Sequence, residues 1–499
     1  MRRPGEHPAA RLTLAGAAAL VALTAPVAAQ IPEAEDAFVR GDYRTARALY
    51  DSVLALDSLN PRALYRLAIF DSWDGKLKRS LARFVTLRHV EPLDPETMAA
   101  HARVLSWDGQ TRWSEALYDS VLALTPDRVD ALAGRARAVA WSGDLSRAER
   151  LWRDALERHP DEADILVGLA QTLYWEGEPA LAEGYVARAR ALAPTDRTAR
   201  DLFDLVRAER RPALSVSFDG SDDIDHNRLV TLTGALSVSL RPDVRGTVRA
   251  TRRQADAGAP TGSSNGVDGW LVKTMHSTTL RGGAGLRVLD PDNGRARTFA
   301  TVQLGAGLRP GTFTTIDLGY SRYPFDETTL LVQQAFVWDE VEASVGLKPR
   351  LNLELSASAN GAWLSDGNRR LLASFAAMVR VANGVYLGGH ARVMGYRRRG
   401  NGYFTPDRFT VGEGRAAYAW RRQRWAARVS AGLGAQQVGI DAPVRAEWHG
   451  DVTLSRGWRA LDEVALVALY TNSAGAGSGT GPTQGYRYWS MGLRYRRGL

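Results

Sequence analysis

Five glycines, Gly41, Gly75, Gly109, Gly143 and Gly177, stand 34 residues apart. A period of that length means that one supersecondary unit has been copied, and such a unit cannot bury its apolar face alone. Other positions keep step. Tryptophan precedes four of the glycines by two residues, as Trp73, Trp107, Trp141 and Trp175, with Val39 in the first copy. Nine residues after the glycines come Tyr50, Phe84, Tyr118, Trp152 and Val186. Small residues recur at Ala46, Ser80, Ser114, Ala148 and Ala182, where two helices must approach closely. Pro61, Pro95, Pro126, Pro160 and Pro194 separate the units, and ALYDSVLAL occurs at both 48–56 and 116–124. These offsets predict helix pairs stacked into a superhelix with a concave groove, the tryptophans and tyrosines packing in its core.

This combination of aromatic, glycine, small residue and proline resembles the tetratricopeptide repeat. The likeness covers about residues 31–210, roughly five helix pairs, and implies a groove that binds protein. Acidic residues outnumber basic ones over 30–210, so nothing there favours nucleic acid.

From Arg211 the period changes to two. Leu353, Leu355, Ala357, Ala359 and Trp363 share one face of a segment whose other face carries Glu354, Ser356, Ser358 and Asn360. Val444, Ala446, Trp448, Val452 and Leu454 likewise oppose Arg445, Glu447, His449, Asp451 and Thr453. About sixteen such segments follow one another, separated by turn-rich stretches such as Asp290-Pro291-Asp292-Asn293-Gly294. Each approaches the roughly 9–11 residues that a tilted strand needs to cross the hydrocarbon core. A soluble sandwich or propeller also alternates, but it needs no aromatic residues at its strand ends and rarely extends one such sheet this far. The expected fold is therefore an α-solenoid of about five repeats followed by a transmembrane antiparallel β-barrel of about sixteen strands.

The first residues bear on compartment. Arg2, Arg3 and Arg11 precede an apolar run from Leu12 to Ala25, and Pro26-Val27-Ala28-Ala29 supplies small residues before a cleavage point. This reads as a secretory signal, the run being short for a bilayer anchor. The expected division is a leader at 1–29, repeats at 30–210 in the periplasm, and an outer-membrane barrel at 211–499, joined near Glu209–Pro212. The chain has no cysteine, which removes disulfides, thiolate metal sites and an acylated anchor.

Bases outnumber acids in the barrel region, and nearly all are arginine. The polar faces nominate Arg245, Arg249, Glu354, His390, Arg392, Arg428, Arg445, Glu447, His449 and Asp451 as lining a wet lumen. Such arginines either attract anions and contact sugar rings or brace the wall by pairing with Glu342, Glu354, Glu447 and Asp451. His449 with Glu447 and Asp451 makes a proton relay or a row of ion pairs. Asp219, Asp222, Asp223 and Asp225 form an acidic loop that reads as a solvated turn before a calcium site. No catalytic residue, metal-ligand motif or cofactor fingerprint is assigned.

Helical repeats feeding a barrel of this size resemble the bacterial exopolysaccharide exporters, including the outer-membrane component of cellulose synthase operons and the poly-N-acetylglucosamine porin. The SWDG copies at 72–75 and 106–109, with RAVAWSGD at 137–144, are similar to the YaiO family. Tyr320-Ser321-Arg322-Tyr323-Pro324-Phe325-Asp326-Glu327-Thr328 is similar to an arginine–proline–aspartate turn of the cellulose exporter barrel. Gly402-Tyr403-Phe404-Thr405-Pro406-Asp407-Arg408-Phe409 is similar to its glycine–tyrosine–phenylalanine–serine–proline block. The resemblance implies a porin-like protein assisting export of a cellulose-like or amino-sugar polymer. Its expected partners are envelope proteins on the repeats, the polysaccharide in the barrel and outer-membrane lipid around it. The other reading is a non-conducting outer-membrane anchor that presents the repeat groove.

Overall fold

The computed structural model describes residues 27–258, 261–311, 313–350, 352–400, 402–476 and 486–499. The expected leader lies outside the described residues up to residue 26. Compactness divides the chain into two units. One runs to Pro160 without Gly143–Leu145; the other holds those three residues and everything from Asp161.

Eleven helices precede the first strand among the described residues. They are α1 (Val27–Val39), α2 (Tyr43–Leu56), α3 (Pro61–Trp73), α4 (Leu77–Val90), α5 (Pro95–Trp107) and α6 (Thr111–Leu124). Then follow α7 (Val129–Ser142), α8 (Leu145–Arg158), α9 (Ala163–Trp175), α10 (Pro179–Leu192) and α11 (Arg197–Arg210). The turn between partners explains the recurring glycine. Gly75 sits at φ 73°, a left-handed conformation that ends α3 and lets the Lys76 N–H reach the Asp71 carbonyl at 2.8 Å. Between pairs, Asn60 and Asp94 cap the next helix by accepting from Ala63 N–H and Thr97 N–H, with Pro61 and Pro95 opening it.

The core of these pairs is carried by the position nine residues after the glycine. Tyr50, Phe84, Tyr118 and Trp152 are all buried. The close-approach positions are buried too, and the Ser80 and Ser114 hydroxyls donate to the Ala68 and Ala102 carbonyls of the preceding helix, each at 2.7 Å. The tryptophans differ from expectation: Trp73 is 53% exposed and Trp107 is 43% exposed. They occupy the last turn of their helices; Trp73 packs on Phe38, Tyr43 and Phe70 and still leaves about half of its surface to solvent.

The remaining chain forms a closed antiparallel barrel in which every strand pairs with its sequence neighbours and β1 closes on β16. The strands are β1 (Ala213–Asp223), β2 (Arg228–Arg241), β3 (Val244–Asp256), β4 (Thr261–Met275), β5 (Thr278–Pro291) and β6 (Arg297–Gly311). Next come β7 (Thr314–Pro324), β8 (Val337–Arg350), β9 (Leu353–Leu364), β10 (Arg369–Ala382) and β11 (Val385–Tyr396). The last are β12 (Phe409–Arg422), β13 (Trp425–Val438), β14 (Arg445–Arg459), β15 (Asp462–Thr471) and β16 (Tyr488–Gly498). A one-turn helix, α12 (Thr329–Gln334), lies between β7 and β8. Closure leaves no edge strand, so each strand has a neighbour on both sides.

The barrel is apolar outside. Leu286, Leu371, Phe375 and Leu433 are exposed on its outer face. Tyr418, Trp420 and Trp425 ring the end at which the chain enters β1 (the near end), and Trp363, Trp448, Tyr470 and Trp489 ring the other (the far end). An apolar belt between two aromatic girdles is the exterior of a barrel that crosses a membrane. No helix among the described residues is long and apolar enough to do so. Short turns join strands at the near end, and the longest connections, β7–β8, β11–β12 and β15–β16, join far strand ends. The expected acidic loop is mostly strand: Asp219, Asp222 and Asp223 belong to β1, and only Asp225 lies in the turn, where Asp223 accepts from Asp225 N–H at 2.9 Å and Asn227 N–H at 3.0 Å.

Candidate functional site

Strand parity decides which side chains meet in the lumen. Register pairs Gly432 with His449, Gly434 with Glu447 and His390 with Glu413, while Leu433 and Trp448 pair on the outer face. The same parity turns Arg245, Arg249, Glu354, His390, Arg392, Arg428, Arg445, Glu447, His449 and Asp451 inward. Their environments differ. Arg245 lies at the near rim, where it donates to the carbonyls of Glu209 and, at 3.2 Å, Arg211. It anchors the linker from α11 and does not line the middle of the lumen. Glu354, also near that end, pairs with Lys348 at 2.9 Å.

Across β3 to β8 the lumen wall is neutralised. Arg249 donates to Asp268 at 3.2 Å and lies over the Trp270 ring at 4.9 Å. Thr301 donates to the other Asp268 oxygen at 2.6 Å. Arg287 bridges inward to Asp326 at 3.0 Å, and Arg253 and Ser264 donate to the same carboxylate. Between β10 and β8, Arg370 donates to Glu340 at 2.7 Å. Bracing therefore occurs, but through Asp268, Asp326 and Glu340. Glu342, Glu447 and Asp451, expected as arginine partners, form no arginine ion pair within 4 Å among the described residues; Asp451 accepts from Ser430 instead.

Across β11 to β16 the wall is different. Glu413 takes His390 Nδ1 at 2.9 Å and Arg415 Nε at 2.8 Å on one oxygen, and faces His449 Nδ1 at 2.9 Å with the other. Glu447 lies beside it, as its pairing partner Gly434 has no side chain to intervene. Arg392 is spread over the Phe409 ring at 5.2 Å and reaches Ser473 Oγ at 3.3 Å. Arg428, Arg445 and Arg494 have no ion-pair partner among the described residues. His449 thus meets Glu413, two strands away, rather than forming a row with its own neighbours Glu447 and Asp451.

The two motifs at 320–328 and 402–409 come together at the far mouth. The β7–β8 connection folds inward: Leu331 and Val332 of α12 are buried, Val332 packing in a cluster with Ala255 and Leu289 from β3 and β5. Asp326, 2% exposed, is held by the Arg253, Arg287 and Ser264 set just described. The β11–β12 connection meets it. Tyr403 packs edge-on against Phe325 at 5.7 Å and Phe336 at 6.2 Å between ring centroids. Its hydroxyl donates to Asp366 at 2.7 Å and accepts from Asn368 at 3.0 Å. Burial, reinforced by the Asp366 carboxylate, raises its pKa and keeps the phenol protonated. Gly402 is required there: its φ is 93°, and a Cβ would lie 2.7 Å from the Leu330 side chain. Phe404 packs edge-on to Phe409 at 5.6 Å, joined by Met394 and by Ala474 of the β15–β16 connection. Arg322 departs from this arrangement; it lies on the outer face and pairs with Asp339 at 2.9 Å. Three connections therefore form one layer over the far mouth, knit by aromatic packing and one buried carboxylate. Pro324 and Pro406 stand where the chain leaves β7 and approaches β12, the latter's carbonyl accepting from Tyr396 N–H at 2.9 Å.

Residues 142–202 match the tetratricopeptide repeat family. No curated protein matches the chain. A structure described as a bacterial polysaccharide outer membrane secretin is similar at 15% identity, covering 58% of this chain and 99% of that one, with a TM-score of 0.48. A tetratricopeptide repeat protein from Parabacteroides merdae is similar at 18% identity, covering 39% and 77%, with a TM-score of 0.36. YrrB, described as a repeat protein with an unusual peptide-binding site, is similar at 19% identity, covering 34% and 88%, with a TM-score of 0.29.

Proposed function

We propose that the protein is an outer-membrane conduit for an exopolysaccharide of cellulose-like or amino-sugar type, with its repeats docking envelope proteins on the periplasmic side. The observation that carries this reading is the lumen of a closed sixteen-strand barrel, into which arginines, carboxylates and Trp270 are turned. A barrel of that strand number is wide enough to hold an aqueous channel. Arginine and aromatic faces suit a polyhydroxylated chain, since they bond hydroxyls and stack on sugar rings without fixing one sugar. The short near-end turns favour a periplasmic near end and an external far end. No catalytic step is part of this proposal; the polymer is substrate only in the sense of cargo.

The layer over the far mouth supports a second reading, a closed barrel that anchors the repeats. The two readings separate in proteoliposomes loaded with labelled β-1,4-linked glucose or N-acetylglucosamine oligomers. The conduit reading expects oligomer release well above that from vesicles holding no protein. Retention of the oligomers by vesicles with a correctly folded, heat-modifiable barrel would reject it and leave the anchor.

A further inference from the structure

We propose that Glu413, Glu447 and His449 form a binding site for a divalent transition-metal ion on the lumen wall, independently of whether the barrel conducts. One carboxylate oxygen of each glutamate and one ring nitrogen of His449 all lie within 4.8 Å of one another. The glutamates are 8% and 3% exposed, so water does not solvate them freely. A second observation points to a missing ligand: Glu447 Oε2 is buried with no hydrogen-bond donor, and Glu413 Oε2, also buried, meets only His449 Nδ1, at 2.9 Å. A buried carboxylate oxygen without a donor is costly, and more so beside a second carboxylate. The cations that face the pair, Arg415 and Arg392, do not answer the need. Arg415 is engaged by the other oxygen of Glu413, and Arg392 by Ser473 and the Phe409 ring.

The wall is built to let these three side chains meet. They come from β12 and β14, and the strand between them presents Gly432 and Gly434 at the crossing. A Cβ on Gly432 would collide with the His449 ring and the Glu413 carboxylate, and one on Gly434 would lie 2.7 Å from Glu413 Cβ. His390 Nδ1, at 2.9 Å from Glu413 Oε1, orients that carboxylate so that Oε2 turns to the cluster, as an outer partner orients a metal ligand. The donor set selects the ion. Imidazole with two carboxylates suits zinc, manganese or iron(II), whereas magnesium and calcium prefer oxygen alone. Bonds of about 2.0–2.2 Å put tetrahedral donors roughly 3.3–3.6 Å apart; side-chain rotation has to open the 2.9 Å His449–Glu413 contact slightly and draw Glu447 in from within 4.8 Å. Three protein ligands leave a coordination position for water or for a hydroxyl or acidic group of a passing chain.

The test uses the untagged full chain, refolded in detergent, stripped with a chelator and titrated with zinc chloride alone by calorimetry. Cobalt(II) then serves as a spectroscopic substitute. The expected result is one equivalent of zinc, no uptake of magnesium at the same concentration, and a visible cobalt absorption band. Glu447→Gln should weaken zinc at least tenfold and shift that band, and His390→Asn should weaken it less while keeping the band. Heat-modifiability confirms that each variant is folded. No zinc uptake by the native chain would mean that the carboxylates hold a proton between them, and overturns the proposal. Uptake undiminished in the Glu413→Gln, Glu447→Gln, His449→Gln triple variant overturns it equally.

Discussion

The helical repeats and the barrel use the same apolar and polar alphabet in opposite senses. In the repeats, Tyr50, Phe84 and Tyr118 are buried and most charges stand outside, Asp71 being a buried exception; in the barrel, Leu371, Phe375 and Leu433 face outward while Asp326, Glu413 and Glu447 are enclosed. Periodicity tells which element forms, 3.6 residues for one region and two for the other. It does not say which face is inside. That depends on the solvent, water for the repeats and lipid for the barrel, and it is why one substitution type has contrary effects in the two regions.

Removing a core ring should hurt the repeats most. Tyr118→Ala is expected to cost about 3–5 kcal/mol, seen as an early loss of helical circular dichroism while the barrel stays heat-modifiable. Simultaneous loss of both would break the contrast between the regions. The barrel's counterpart is a charge facing lipid. Leu433→Arg should cost about 2–4 kcal/mol in guanidinium unfolding from vesicles if it lies near mid-membrane, whereas Arg428→Ala on the inward face of the same strand should change stability by under about 0.5 kcal/mol. Equal costs would mean that the faces are wrongly assigned.

A smaller effect belongs to His101, stacked on Phe84 at 5.5 Å and lowered to a pKa of about 4, first by burial and then by Arg88. Its folded pKa lies below the unfolded value of about 6.5, so the unfolded chain binds the extra proton between them. Repeat stability is therefore full above pH 6.5 and declines as the pH falls toward 4. His101→Gln should flatten that decline in thermal melts; an unchanged slope would place the titration elsewhere. Gly75→Ala tests the left-handed turn alone, because nothing lies within 4 Å of the added carbon. The φ of 73° should cost about 1–2 kcal/mol, a modest fall in the repeat melting temperature that Gly184→Ala, inside α10, should not reproduce.

Much of this was legible in the sequence. Sixteen alternating segments became sixteen strands because period two leaves little freedom once one face is apolar. The inward set from Arg249 to Asp451 followed from the same parity. What escaped has a common cause. Glu413 sits in a strand whose phase is blurred by Gly412, Gly414, Ala416 and Ala417, and its contacts to His390 and His449 join residues far apart in sequence. Asp268 and Asp326 as the true bracing partners, and the meeting of Phe325 with Tyr403, likewise depend on which strands and loops face each other across the barrel. Alternation along one strand carries none of that. The exposure of Trp73 and Trp107 was missed because the repeat period marks a position as special without saying whether it is core or rim.

The central claim is a wet, charged lumen covered at its far mouth by inward-folded connections. It is tested most directly by single-channel conductance of the full chain in a planar bilayer, before and after Glu327–Gln334 is replaced by a short glycine–serine link. The account predicts a small conductance for the native chain. Trimming should raise it several-fold, and cellulose-like or amino-sugar oligomers should then block it. A trimmed barrel that remains heat-modifiable yet passes no current would contradict the account, because the lumen would then be sealed by its own wall.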